Sequence, residues 1–258
     1  MINKAKIILQ SDDDEIKLVL SKACDLYAKS EKSTKAFYTK FLTPLEAAII
    51  KGRFPQNELS INFSGGYEDA ERQVCAFYTY EEDVNFPITA LYLKLKGKNA
   101  NLSHRDYLGS LLSMGIKREV LGDIVLQEGG AYVFCLEEIA DYIMESLTKI
   151  GGVGVSIRKI DSLGEISIKR EFQKLSSTVS SLRCDCVVAS ALNLSRSKVS
   201  ELIERGLVTH NYEQLKSVSA QVKNGDVLSA RGYGKFKVST DGHLTKKGRI
   251  HIDIYKYV

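Results

Sequence analysis

Residues 182–227 carry an ordered set of conformational signals that leaves few folds open to this part of the chain. The run 182–192 suits a short helix. Ser195 stands where a hydroxyl would cap a second, and Val199, Leu202, Ile203 and Gly206 follow on one face at i, i+3, i+4 and i+7. Strand-like runs at about 207–212, 217–222, 227–238 and 249–257 come next, with Asn224-Gly225-Asp226 as a tight turn. These spacings predict two short helices packed on a small sheet. Asp185 is expected to serve structure, as a partner of Arg183 or of a backbone group. Gly206 and Gly225 are expected at turns that need unusual backbone angles.

Charge points the same region toward a polyanion. The net charge is only +4, but residues 181–258 hold 13 Lys and Arg against 7 Asp and Glu, while the other 180 residues hold 23 against 25. Phosphate neutralisation dominates nucleic-acid affinity, so a small domain carrying the basic excess is the footprint of an RNA or DNA binder. At the mouth of the second helix, free backbone N–H groups and the helix dipole attract phosphate, and Ser195, Arg196, Ser197 and Lys198 lie there. Arg183 can flank the same surface, and Asn211 offers an amide that both donates and accepts. Glu201 and Glu204 face outward further along, which confines contact to the helix start. In the run 231–237, Arg231, Tyr233, Lys235 and Lys237 interleave charge with aromatics, as a strand-tracking surface would; a half-buried edge strand shows the same period of two.

Upstream, the apolar spacing of Ile16, Val19, Leu20, Ala23, Leu26 and Tyr27 and the Pro44 start signal predict a helical N-terminal region over 1–72, ending near a loop at 63–67. Residues 73–175 alternate strands and helices: a strand at 74–80, one at 88–96, a Ser103-capped helix, a hairpin through Gly129-Gly130, a helix over 137–149 and a strand at 153–160. Without its first strand the order is βαββαβ, the ferredoxin-like arrangement shared by RNA-recognition domains. The run 128–135 lacks the basic residue and two of the three aromatics by which such sheets stack bases. Tyr92 and Tyr132 remain as stacking candidates, but packing beneath an N-terminal helical layer is the favoured reading. A strand at 165–172 and a polar connector at 176–181 lead into the C-terminal domain, 181–258. The fold class is therefore α+β.

The function classes narrow further. No apolar run is long enough to span a membrane, and the polar N-terminus is unlike a secretory signal, so a cytoplasmic protein is expected. Cysteines at 24, 75, 135, 184 and 186 lack metal-ligand spacing, and no metal or other cofactor is expected. Gly151-Gly152-Val153-Gly154 precedes a strand instead of opening a helix, unlike a dinucleotide loop. His104-Arg105-Asp106 are consecutive helix residues and cannot converge on one atom. Structural or RNA-contact roles suit Arg105, Lys117 and Arg118 better than catalysis.

Two resemblances sharpen this reading. The pattern Arg183, Asp185, Ser195-Arg196, Gly206, Asn211, Gly225-Asp226 resembles the small αL RNA-binding domain found in a small-subunit ribosomal protein, tyrosyl-tRNA synthetases and pseudouridine synthases. Together with Leu102-Ser103-His104-Arg105-Asp106-Tyr107-Leu108-Gly109, Gly115-Ile116-Lys117-Arg118-Glu119 and Thr178-Val179-Ser180-Ser181-Leu182-Arg183, nearly the whole chain looks like the YlmH family of bacterial RNA-binding proteins. The resemblance implies a non-catalytic, ribosome-associated factor whose αL domain holds large-subunit ribosomal RNA, with tRNA as a second candidate, on stalled ribosomes; a monomer is expected. The alternative is an RNA-modifying enzyme of the pseudouridine synthase or methyltransferase type with the αL domain as its handle. A protein-interaction module using Tyr92 and Tyr132 is a third.

Overall fold

The computed structural model describes residues 2–9, 11, 13–55, 59–80, 84–97, 102–166, 168, 172–246 and 248–257. The chain forms two compact units, Met1–Ile168 and Lys169–Val258, and the fold is α+β.

The first unit opens with helices α1 (Lys4–Ile8), α2 (Asp14–Ser30) and α3 (Pro44–Arg53). Asp13 caps α2 by accepting from the N–H groups of Glu15 and Ile16, and Thr43 and Glu46 close a reciprocal capping box around Pro44. These helices cover a three-stranded antiparallel sheet of β1 (Phe37–Leu42), β2 (Ser60–Ser64) and β3 (Gln73–Tyr78), ordered β1-β3-β2. Tyr27, Phe54 and Phe77 meet at its centre with ring separations of 5.6–5.9 Å. The N-terminal region is thus not purely helical. The run at 63–67 read as a loop contributes the last residues of β2, and the strand expected to open the middle domain is the central strand here. Val74 to Tyr78 are all buried, so β3 shows no alternation that would have revealed its neighbours.

The rest of this unit is the βαββαβ arrangement: β4 (Ile88–Leu95), α4 (His104–Ser113), β5 (Leu121–Gln127), β6 (Gly130–Leu136), α5 (Glu137–Ser146), then β7 (Lys149–Ile150) and β8 (Val153–Lys159). The sheet order β5-β6-β4-β8-β7 puts β4 and β6, the first strand of each half of the repeat, at the centre, as in ferredoxin-like folds. Leu91, Leu93 and Val133 bury against Tyr107, Leu111, Ala140 and Ile143 of the two helices. Gly130 permits close approach of β6 and β4, since a Cβ there would stand 2.2 Å from the Leu93 carbonyl oxygen.

The second unit places α6 (Cys184–Leu192) and α7 (Arg196–Glu204) on one face of an antiparallel sheet ordered β11-β10-β12-β13-β14-β9. Its strands are β9 (Phe172–Val179), β10 (Val208–His210), β11 (Glu213–Gln214), β12 (Val227–Ala230), β13 (Gly234–Ser239) and β14 (Ile250–Tyr257). Val187, Val188, Val199, Leu202 and Ile203 from the helices pack on Leu228, Phe236, Val238, Ile252 and Ile254. Most of the supposed connector at 176–181 is strand instead: β9 pairs with β14 from Phe172 to Val179. The run 227–238 is two strands, because Gly232 and Gly234 take positive φ and reverse the chain. Residues 217–222 form no strand beyond a bridge from Gln221 to Arg183, their carbonyls serving the N–H groups that open α6. The strand expected at 165–172 falls in part on residues 167 and 169–171, outside the described residues; Leu163–Glu165 is a single 3-10 turn.

Candidate nucleic-acid interface

The basic motif of the second unit is organised around one carboxylate. Asp185, in the first turn of α6, has a side chain only 4% exposed and accepts from two arginines. Arg183 donates from Nε to Oδ1 at 3.0 Å and from Nη2 to Oδ2 at 3.3 Å; Arg196 donates to Oδ2 from Nε at 3.0 Å and from Nη2. Burial pushes the Asp185 carboxyl up, but the hydrogen bonds and charges of Arg183 and Arg196 outweigh it and hold the group below the usual carboxylate range. The Arg196 side chain stays 57% exposed. A guanidinium has five donors, so two bonds to Asp185 leave others for a phosphate. The arrangement ties the start of α6 to the start of α7 and fixes the direction of both cations.

At the mouth of α7, Ser195 accepts from the N–H of Lys198 at 3.2 Å and its hydroxyl lies 3.0 Å from that of Ser197. The N–H groups of Arg196 and Ser197 have no partner within the helix, as at any helix start. Lys198 pairs with Glu201 at 2.8 Å, so part of its charge is offset locally. Arg183, Ser195, Arg196, Ser197 and Lys198 therefore share one surface.

Asn211 does not join them as a free amide. It follows β10 in the left-handed conformation (φ 48°), its side-chain N–H donates to Asp226 at 2.9 Å, and its side-chain oxygen accepts from the N–H of Val227 at 2.9 Å. These two bonds brace the 224–227 turn, and the exposed amide keeps a second N–H and a second lone pair. Asp226 also accepts from the N–H of Lys223 at 2.7 Å and lies 2.6 Å from His210 Nε2. Arg231 and Tyr233 sit exposed on the β12–β13 turn, and Lys235 and Lys237 project from β13 between buried Phe236 and Val238.

In the first unit, Tyr92 and Tyr132 are paired across β4 and β6 with rings 5.0 Å apart, and Arg158 lies 5.5 Å over Tyr92. The same sheet face continues to Phe134, on which Tyr67 stacks at 4.7 Å. The cover at that end comes from the segment after β2 and not from a helix. Arg118 turns inward: its Nη1 donates to the carbonyls of Leu121 and Gly122 at 2.7 and 3.0 Å, and burial, then the charge of Arg72, lowers its pKa to about 10. Its guanidinium is thus built into the fold. Lys117 is exposed at the rim of a cleft of about 680 Å³ that Arg72 and Arg118 also line, and Arg105 is exposed on α4. The five cysteines are buried, and burial raises the thiols of Cys24 to about 11, of Cys135 and Cys184 to about 12 and of Cys75 higher still, which leaves these four poor nucleophiles. Among the described residues no cluster of three His, Cys, Asp or Glu could hold a metal ion, and no helix is long and apolar enough to cross a membrane.

Residues 81–164, spanning the βαββαβ sheet, match a family model described as "Putative RNA-binding domain in YlmH". The chain is 35% identical over 215 residues to the ribosome-associated protein quality control protein P2 of Bacillus subtilis (strain 168), covering 82% of this chain and 83% of that relative. The chain belongs to the YlmH family. A solved structure described as the cell division protein YlmH from Streptococcus pneumoniae superposes with a TM-score of 0.51 over 61% of this chain and 98% of that one; at 21% identity it supports the fold alone. For this YlmH-family chain, sequence reasoning missed the joint role of Asp185 and the turn formed by His210, Asn211 and Asp226. It also missed Phe172, Tyr212, Tyr255 and Tyr257, whose rings gather on the sheet. The alternation of Ile252 and Ile254 with Tyr255 and Tyr257 was the available signal for that last group.

Proposed function

We propose that this YlmH-family chain is a non-catalytic, cytoplasmic RNA-binding factor that associates with the ribosome, and that its second unit is an αL RNA-binding domain. The αL unit grips ribosomal RNA of the large subunit, with tRNA as a further contact, on stalled ribosomes holding an unfinished chain. The observation that carries the reading is the single buried Asp185 that aims Arg183 and Arg196 beside the start of α7, leaving Arg196 57% exposed. A pre-oriented guanidinium next to outward N–H groups suits a phosphate of structured RNA, whose backbone and 2′-hydroxyls are read by shape. The ribosome-associated relative and the RNA-binding family model over 81–164 support the wider setting.

The test is co-sedimentation with large subunits and binding to structured RNA as a function of salt, for the full chain and for Arg196→Ala. One lost phosphate contact lowers the salt slope by about 0.7–0.9 and weakens binding about five- to eightfold near ~0.1 M salt. Unchanged affinity and slope in the variant would remove Arg196 from the interface.

A further inference from the structure

The face of the C-terminal sheet that points away from α6 and α7 has a composition of its own. Phe236 and Val238 turn inward, so the alternation of β13 sends Lys235 and Lys237 outward. Register then sets Lys235 opposite Tyr257 and Lys237 opposite Tyr255 on β14. It continues onto β9, where Tyr257 faces Phe172 and Tyr255 faces Lys174. The rings are neighbours: Phe172 lies 5.1 Å from Tyr257 and 6.2 Å from Tyr255, both edge-on. The cations are interleaved with them, Lys235 Nζ standing 4.7 Å from the ring centre of Tyr212 and 4.8 Å from that of Tyr257, and Lys174 Nζ 5.6 Å from that of Tyr255. Phe172 is 38% exposed. On this face Asp253 pairs with Lys174 at 2.9 Å.

An apolar partner would take the charged groups of this face out of water, the ion pair of Lys174 and Asp253 among them, at a cost that such a surface avoids. Aromatic faces interleaved with cations match the chemistry of single-stranded nucleic acid, whose bases expose π-faces while its phosphates run alongside. A duplex keeps its base faces stacked internally and offers nothing for these rings. We propose that the outward face formed by Phe172, Tyr212, Tyr255, Tyr257, Lys174 and Lys235 is a stacking platform for unpaired RNA bases, separate from the phosphate grip at the start of α7. It deepens the RNA-binding reading and rests on it for the class of ligand.

The experiment measures binding of the full chain to a labelled oligouridine, to the same backbone without bases, and to a stable RNA hairpin. The wild type is expected to bind the oligouridine more tightly than the abasic strand. Phe172→Ala combined with Tyr257→Ala should weaken oligouridine binding by roughly tenfold per ring while leaving hairpin binding in place, with circular dichroism reporting the fold. Should the double variant unfold, Tyr255→Leu, which keeps an apolar residue on the strand and removes the ring, gives the same comparison. Equal affinity of the wild type for the oligouridine and the abasic strand overturns the platform, as does equal affinity of folded ring variants and wild type; a face that took a protein instead would give that second result. The two sites fail separately, because Arg196→Ala reports on the hairpin and the ring variants report on the oligouridine.

Discussion

Replacing Asp185 by Asn tests the organisation of the basic motif most directly. Asn keeps the shape and one acceptor oxygen but removes the charge shared by Arg183 and Arg196. Removing one partner of a deeply buried ion pair costs about 3–5 kcal/mol, because the other charge is stranded. Here the arginine side chains are 37% and 57% exposed and can turn to water, while the buried oxygens lose charge-assisted bonds. About 1–3 kcal/mol is therefore the expected loss, nearer the cost of charged hydrogen bonds than of a stranded charge. Cys184 and Cys186, buried on the same helix, make the loss readable within this unit. Alkylation of the native protein, mapped by mass spectrometry, should proceed about 5- to 150-fold faster at these two cysteines, since every ~1.4 kcal/mol is tenfold in the open population. Cys24, Cys75 and Cys135, which lie in the first unit, should keep their rates. Unchanged labelling of Cys184 would refute the view that Asp185 holds α6 and α7 together, and Asp185→Asn with full RNA affinity would refute its role in aiming Arg196.

Two further outcomes follow from the same geometry. Asp185 and Asp226 are both held below the usual carboxylate range, against the upward push of burial, by Arg183 and Arg196 in one case and chiefly by Asn211, Lys223 and His210 in the other. Their contribution is present above the unfolded carboxylate value near ~3.9 and is lost as pH falls through the lower folded values; a denaturation series followed by tyrosine fluorescence should show stability declining below about pH 4, and less steeply in Asp185→Asn. Gly130→Ala should destabilise the first unit by about 1–3 kcal/mol or more, read as a lower thermal midpoint, because its Cβ would press on the Leu93 backbone; an unchanged midpoint would mean that β4 and β6 can separate without cost.

What was legible beforehand divides by the range of the interactions. Helix starts could be read because their signals are local: the Ser195 cap, the pair of Ser103 and Asp106, and Pro44 in a first turn each act within three residues. The βαββαβ order could be read because strand and helix periods differ within short windows. The N-terminal sheet could not, since β3 is buried on both faces and β1 and β2 reach it from 31 and 9 residues away in sequence, distances at which no periodicity links them. Of the candidate site, the placement of Arg183 at the start of α6 and of residues 195–198 at the start of α7 was legible from charge and capping. The inward use of Arg118 and the bracing of the 224–227 turn by Asn211 escaped notice, because a guanidinium or amide has the same sequence signature whatever it bonds.

By itself the amino-acid order determined the helix starts, the βαββαβ order and the concentration of positive charge after residue 181. Those depend on short-range stereochemistry and on composition. Only the tertiary structure decided that one buried carboxylate orients two arginines, that 176–179 belongs to an edge strand instead of a connector, and that rings from residues 172, 212, 255 and 257 gather on one face. Each is a meeting of residues brought together by strand pairing or helix packing, and pairing between segments about eighty residues apart is set by the burial of the whole sheet and not by any local signal.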